Sequence, residues 1–218
     1  SDLQVSESSQ RLPLLALARR YLSWADKTLV WRSTSRLIVV RGLSGTGKST
    51  LARQLAEQLG AELLSTDRLR RDLVGAESLV SNPTAALVGA PATSSREFAG
   101  GVYSPAARQW IYDELLERAA RRLASGGTVV VDGTFGLQRQ RDAARRIARA
   151  AGAECWFLHC DCPLEVATAR VVQRGRLGGS LDSDITPEML ARQRAEEEPE
   201  PPPHDGLELD TSLDTSVL

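Results

Sequence analysis

The sequence predicts an α/β fold in which a parallel β-sheet is covered by helices on both faces. Three observations carry that expectation. Short apolar or β-branched runs alternate with longer stretches of helical spacing, the order expected of right-handed βαβ units. The 218 residues suffice for one sizeable hydrophobic core. Polar and glycine positions collect where the strands end, at Gly42, Ser65–Asp67 and Asp132, and such sheets bind ligands at the carboxyl ends of their strands.

The elements follow in order. Residues 1–10 are polar, and apolar residues at Leu14, Ala18, Tyr21, Leu22, Ala25 and Leu29 have the spacing of a helix over Arg11–Trp31. Residues 1–34 are read as a tail and linker helix, and residues 35–218 as one domain. A strand at Leu37–Val40 runs into Gly42 and is followed by the helical stripe Leu51, Leu55, Leu59, which stops at Gly60. A second strand, Ala61–Ser65, leads through a polar turn to a short helix around Asp67–Val74. Residues 75–102 are rich in Ser, Ala, Gly and Pro and read as a long loop, mobile or facing substrate. A long helix with a stripe at Ile111, Leu115, Ala119 and Leu123 is closed by Gly126-Gly127, and the strand Thr128–Val131 ends at Asp132. An Arg-rich helix at about 137–151, the strand Cys155–Cys160 and a helix from Pro163 follow. Gly175, Gly178 and Gly179 mark a flexible stretch before a helix opened by Thr186-Pro187-Glu188. Glu196–Pro203 reads as an acidic, proline-rich linker and Leu207–Leu209 as a last strand.

Composition narrows the function classes. Lys plus Arg number 27 against 28 Asp plus Glu, a net charge of −1, so there is no bulk electrostatic pull toward nucleic acid or an anionic membrane. No apolar run reaches the ~18–20 residues of a membrane span, and the N-terminus lacks the order of a signal peptide. Cys155, Cys160 and Cys162 are too few for a disulfide framework. A cytoplasmic protein is expected. Alternation along the strand puts Cys160 and Cys162 on one face and His159 on the other, which suits buried strand cysteines better than a metal site. The four Trp are read mostly as core-stripe residues and not as a base-stacking platform.

Of the 27 basic residues only Lys27 and Lys48 are Lys, and Lys48 stands in a phosphate-binding pattern. Gly42-Leu43-Ser44-Gly45-Thr46-Gly47-Lys48-Ser49-Thr50 fits G-x-x-x-x-G-K-[ST] between a strand and a helix. Glycines let the backbone curl until successive N–H groups face one concavity, and the helix N-terminus adds partial positive charge. Lys48 is suited to the β- and γ-phosphate oxygens and the Ser49 hydroxyl to Mg²⁺. Gly42, Ser44, Gly45, Thr46, Gly47, Lys48, Ser49 and Thr50 are therefore the candidate nucleotide-binding residues.

Three classes of such proteins compete. A GTPase needs an Asn-Lys-x-Asp element, and the only Asn is Asn82. A remodelling ATPase usually ends its third strand in Asp-Glu, whereas Asp132 is followed by Gly133. A kinase needs a base near an acceptor hydroxyl and arginines that close on the transferring group. Asp67, with Arg70 three residues on, puts a carboxylate and a guanidinium on one side of a helical turn, as base and acceptor ligand or simply as helix cap and solvated cation. Arg170 and Arg174 share a helix face beside a glycine-rich stretch, as a lid at about 174–185 requires, or as a basic helix C-terminus.

These residues together resemble a known family. The phosphate loop, Ser65-x-Asp67-x-x-Arg70, Gly101-Val102-Tyr103-Ser104, Val130-Val131-Asp132-Gly133-Thr134-Phe135 with Arg141, Arg170-x-x-x-Arg174, and Ser183-Asp184 with Gln193 and Glu198-Pro199 are similar to small phosphate-loop kinases. Those kinases are related to the kinase domain of polynucleotide kinases, to zeta toxins and to chloramphenicol phosphotransferase. The resemblance covers about residues 37–200. It implies a P-loop NTPase of adenylate-kinase-like architecture with a five-stranded parallel sheet, ATP with Mg²⁺, and transfer of the γ-phosphate to a hydroxyl. It implies Lys48, Asp67, Arg170 and Arg174 as catalytic, with Asp67 the base. Arg70, Tyr103, Asp132 and Arg141 then belong to the substrate side. In relatives the domain follows an aminoglycoside-phosphotransferase-like domain, so a fused or adjacent N-terminal domain is expected. The function expected is an ATP-dependent kinase acting on a hydroxyl of a small-molecule acceptor. Two alternatives stay open: a polynucleotide 5′-hydroxyl kinase, and an ATP-binding regulatory module with negligible turnover.

Overall fold

The computed structural model describes residues 35–79, 104–176, 185–199 and 206–212. Eleven elements follow in the order β1 (Arg36–Arg41), α1 (Lys48–Leu59), β2 (Glu62–Ser65), α2 (Thr66–Leu79), α3 (Pro105–Ala124), β3 (Thr128–Asp132), α4 (Gln138–Ala150), β4 (Glu154–Asp161), α5 (Leu164–Arg176), α6 (Pro187–Glu196) and β5 (Gly206–Asp210). The strands pair in parallel throughout, in the order β2-β3-β1-β4-β5. β1 is thus central. Both its faces are covered, which is why its sequence, Arg-Leu-Ile-Val-Val-Arg, is an unbroken apolar run and does not alternate with polar residues.

Alternation along the strands divides the core in two. Leu37, Val39, Val129, Val131 and Phe157 face Ile111, Leu115 and Ala119 of α3 and Ala144 and Ala148 of α4. Ile38, Val40, Val130, Leu158 and Cys160 face Leu51, Ala52 and Leu55 of α1. A third cluster seats Leu43 of the loop after β1 against Ala167 and Val171 of α5 and Leu190 of α6. The helices carry sequence-legible ends. Ser104 caps α3 by accepting from Ala107 N at 3.2 Å, with Pro105 at the first position, and Thr186 does the same for α6, ahead of Pro187.

The sheet, its direction and nearly every boundary match the expectation within a residue or two. Three readings change. No polar turn separates β2 from its helix, because α2 starts at Thr66 in the residue after the strand. That helix runs on to Leu79, so 75–79, expected in the loop, are helical; Ala76, Glu77 and Leu79 are good helix formers. Leu59 and Trp110 are exposed, Leu59 as the last residue of α1 and Trp110 beside the buried Ile111 stripe and not on it. The helix expected at Arg11–Trp31, Tyr103, residues 80–102 and most of the expected lid lie outside the described residues. Among the described residues no helix is long and apolar enough to cross a membrane.

Candidate active site

The loop between β1 and α1 is a curled cradle. Gly42, Gly45 and Gly47 have φ of 136°, 85° and 81°, a region that side chains disfavour. Space forbids a side chain at two of them as well. A Cβ on Gly42 would lie 2.2 Å from the carbonyl oxygen of Cys160, and one on Gly45 would lie 2.4 Å from that of Ala167. Thr46 pins the curl from within, its hydroxyl donating to Leu43 O at 2.8 Å. Gly42 N donates to Thr134 O at 3.3 Å, so the base of the loop is tied to the residues after β3. No side chain caps α1, which leaves its positive end for an anion. Thr50 N already donates to Gly47 O within that first turn.

Lys48 opens α1 and is almost fully buried beside Asp132, the last residue of β3. Register explains the neighbourhood: Asp132 pairs with Val40 of β1 on one side and with Ser65 of β2 on the other. The Ser65 hydroxyl donates to Asp132 Oδ2 at 3.4 Å. Burial raises the Asp132 pKa above the ordinary carboxylate range, against the opposing pull of the Lys48 charge and of hydrogen bonds from Ser49 and Ser65. Its other oxygen, Oδ1, is buried with no hydrogen-bond partner. A carboxylate oxygen so placed, next to a serine hydroxyl, is an oxygen donor set of the kind that hard divalent cations prefer, and it fits Mg²⁺.

Two ion pairs line the cleft with these residues. One is at the start of α2, where Asp67 and Arg70 stand one turn apart. The other joins Arg108 of α3 to Glu196 of α6 at 2.9 Å. Gln193, one turn before Glu196, accepts the Ser44 backbone N–H at 3.2 Å and so fastens α6 to the phosphate loop. Tyr112 places its hydroxyl 2.9 Å from Thr134 Oγ1 and accepts the Phe135 N–H at 3.0 Å. Phe135, fully buried with φ of 46°, stacks edge-on against the Tyr112 ring.

Of the residues expected to act, Lys48, Asp67, Arg70 and Asp132 converge on this cleft. Arg141 does not. It was expected on the substrate side, but it is wholly buried under the start of α4, its guanidinium donating to the carbonyls of Phe135, Gly136, Glu198 and Pro199 and to Gln138 Oε1. A guanidinium satisfies five acceptors at once only when enclosed by them, and this one binds the chain after α6 to the turn before α4. Arg170 also lies off the cleft. From α5 it donates to Gly45 O at 3.4 Å and to Thr211 O at 2.9 Å, bracing the phosphate loop against the end of β5. Arg174 sits one turn further along α5.

Sequence reasoning overlooked Arg108, Tyr112 and Glu196, and gave Gln193 no role. Their elements were foreseen, but nothing local marks one polar residue on an amphipathic helix as the one that meets a distant loop. The same applies to Glu197, whose carboxylate lies between Arg41 at 3.8 Å and His159 at 3.6 Å. Burial, with the charge of Arg41 next in weight, lowers the His159 pKa.

A five-stranded parallel sheet with a glycine-curled loop leading into a helix-borne lysine defines a P-loop NTPase fold. The AAA domain family matches residues 37–199, and the chain belongs to that family. Uncharacterized proteins of Mycobacterium tuberculosis and Mycobacterium bovis are each 35% identical over 161 residues, 74% of this chain. The match covers 30% of the length of those relatives. Among solved structures, a sugar kinase from Janibacter sp. is 24% identical, covering 83% of this chain and 87% of that one with a TM-score of 0.55. A gluconokinase from Sinorhizobium meliloti is 20% identical, covering 84% and 86% with a TM-score of 0.54. They share this fold.

Proposed function

We propose that the chain is an ATP-dependent kinase that moves the γ-phosphoryl group to a hydroxyl of a small-molecule acceptor. The observation that carries this reading is the cleft itself: Ser44 and Lys48 of the phosphate loop line it together with the Asp67–Arg70 pair. That the structures sharing the fold include a sugar kinase and a gluconokinase supports it.

In this reading the loop amides and Lys48 bind the β- and γ-phosphates and hold the terminal group at the cleft. Ser49 and Asp132 would hold Mg²⁺, which neutralises phosphate charge when bound. Asp67 accepts the proton of the acceptor hydroxyl as that oxygen attacks, and Arg70 keeps the carboxylate aimed. Arg170 keeps the loop in its curled form, and Arg174, one turn on, would belong to a lid that closes on the transferring group. The finer kinship with polynucleotide kinases, zeta toxins and chloramphenicol phosphotransferase, and a domain preceding this one, belong to the same proposal.

The test is phosphoryl transfer from radiolabelled ATP with Mg²⁺ to a panel of sugars, aminoglycosides, nucleosides and a 5′-hydroxyl oligonucleotide. Transfer to a small acceptor that falls at least 100-fold in Asp67→Asn is expected, in the range general-base removal gives. Transfer to the oligonucleotide alone would make the chain a polynucleotide kinase. Nucleotide binding with no transfer to any acceptor would make it a regulatory module.

A further inference from the structure

The two ion pairs that line the cleft are the same device: a guanidinium already matched by a carboxylate. Arg70 pairs with Asp67 on α2, and Arg108 of α3 pairs with Glu196 of α6, which Arg192 also holds at 3.1 Å. A further carboxylate, Glu197, lines the same space and is engaged by Arg41 and His159.

We propose that this cleft selects an uncharged polyhydroxylated acceptor, with Arg108, Gln193 and Glu196 as the specificity residues that line it along with Asp67 and Arg70. The proposal rests on the kinase reading above and adds the acceptor's chemistry to it. A hydroxyl both donates and accepts, so it bonds a carboxylate and its partner guanidinium together, and a pair of adjacent hydroxyls satisfies one such ion pair without breaking it. The Gln193 carbonyl is taken by Ser44 N–H, which leaves its NH₂ to donate to a further hydroxyl oxygen. An anionic acceptor meets the opposite case. Its carboxylate or phosphate competes with Asp67 and Glu196 for guanidiniums already neutralised and stands next to carboxylates of like sign. Burial works to raise the Glu196 pKa, but the hydrogen bonds and charges of Arg108 and Arg192 outweigh it, so this carboxylate stays ionised in the pH range of the assay.

The experiment uses acceptors of one carbon skeleton that differ chiefly in charge, open-chain hexitols against the corresponding hexonates, with hexoses against hexose phosphates as a second pair, all with ATP and Mg²⁺. Wild type is expected to favour the neutral member by at least about tenfold in kcat/KM, the equivalent of 1.4 kcal/mol. Glu196→Gln, checked for folding by thermal unfolding, removes the negative charge beside Arg108 and is expected to shift that ratio about tenfold toward the acids. Wild type preferring the acid, or a ratio unmoved in Glu196→Gln, overturns the proposal while leaving a kinase. Where no acceptor is phosphorylated, the same pairs are titrated by ligand-observed NMR with a non-hydrolysable ATP analogue. Binding of the neutral members alone then supports the selectivity while the kinase reading fails, and binding of acids or of neither overturns it.

Discussion

Arg141 holds Glu198 by its backbone, Nη2 donating to the carbonyl at 3.0 Å, while the Glu198 side chain accepts the N–H of Gln138 and its own N–H returns to Gly136 O at 2.9 Å. The chain leaving α6 is thus stitched to the N-terminus of α4. This fixes where Gln193 and Glu196 can stand. Arg141→Met is expected to lower stability by about 3 kcal/mol or more, since several buried carbonyls lose their donor. Arg141→Lys restores only part of it, because one ammonium cannot fan across five acceptors. Denaturant titration of both variants checks the order.

Gly45 is expected to tolerate no side chain. An Ala Cβ would stand 2.4 Å from Ala167 O in a backbone conformation that already disfavours it. Gly45→Ala should lose more than about 1 kcal/mol of stability and weaken ATP binding at least tenfold as the cradle shifts away from α5. Gly152→Ala, also at positive φ but with open space around it, supplies the control: strain without collision and no change in nucleotide affinity. Thermal unfolding and nucleotide titration separate the two.

Asp132 gives a pH signature. Its folded-state pKa is raised by burial, so above that pKa the ionised carboxylate burdens the folded state, and the burden disappears as pH falls to the unfolded-state value near 3.8. Asp132→Asn has no such charge. Its stability relative to wild type is expected to climb as pH rises from about 4 and then level off above the raised pKa. Kinase activity, by contrast, should be lost at every pH. Denaturant titrations between pH 4 and 8 without nucleotide check it, and a flat difference would show that Asp132 is not destabilised by its burial.

Tyr112→Phe keeps the ring that packs edge-on against Phe135 and removes the oxygen that accepts the Phe135 N–H. The loss expected is about 1–3 kcal/mol, the penalty of a buried donor left unmet. Because the same hydroxyl meets Thr134, whose carbonyl accepts from Gly42 N, slower amide exchange at the loop should also be lost. Hydrogen exchange at Gly42 reads this directly.

How much of this was legible in the sequence depends on the range of the interaction. The β1–loop–α1 unit is local: an apolar run, three glycines and Lys48 within a dozen residues define both the turn and its chemistry. Asp132 and Asp67 were found because each lies at or next to the end of a strand, where the topology of a parallel sheet gathers side chains. Arg141 was misplaced because a motif records which residue stands at a position and not which way it points, and five acceptors from two distant segments turned it inward. Arg108 and Glu196, 88 residues apart, meet only because α3 and α6 flank one opening, and no spacing along the chain announces it.

A backbone N–H has one hydrogen to give, and the Ser44 N–H gives it to Gln193. The remaining loop amides are then the ones left for a phosphate oxygen, and Gln193 keeps its place beside them. Since Gln193 lies one helical turn from Glu196, any shift of the loop carries α6 with it, and Glu196 inherits its alignment from the bend at Ser44.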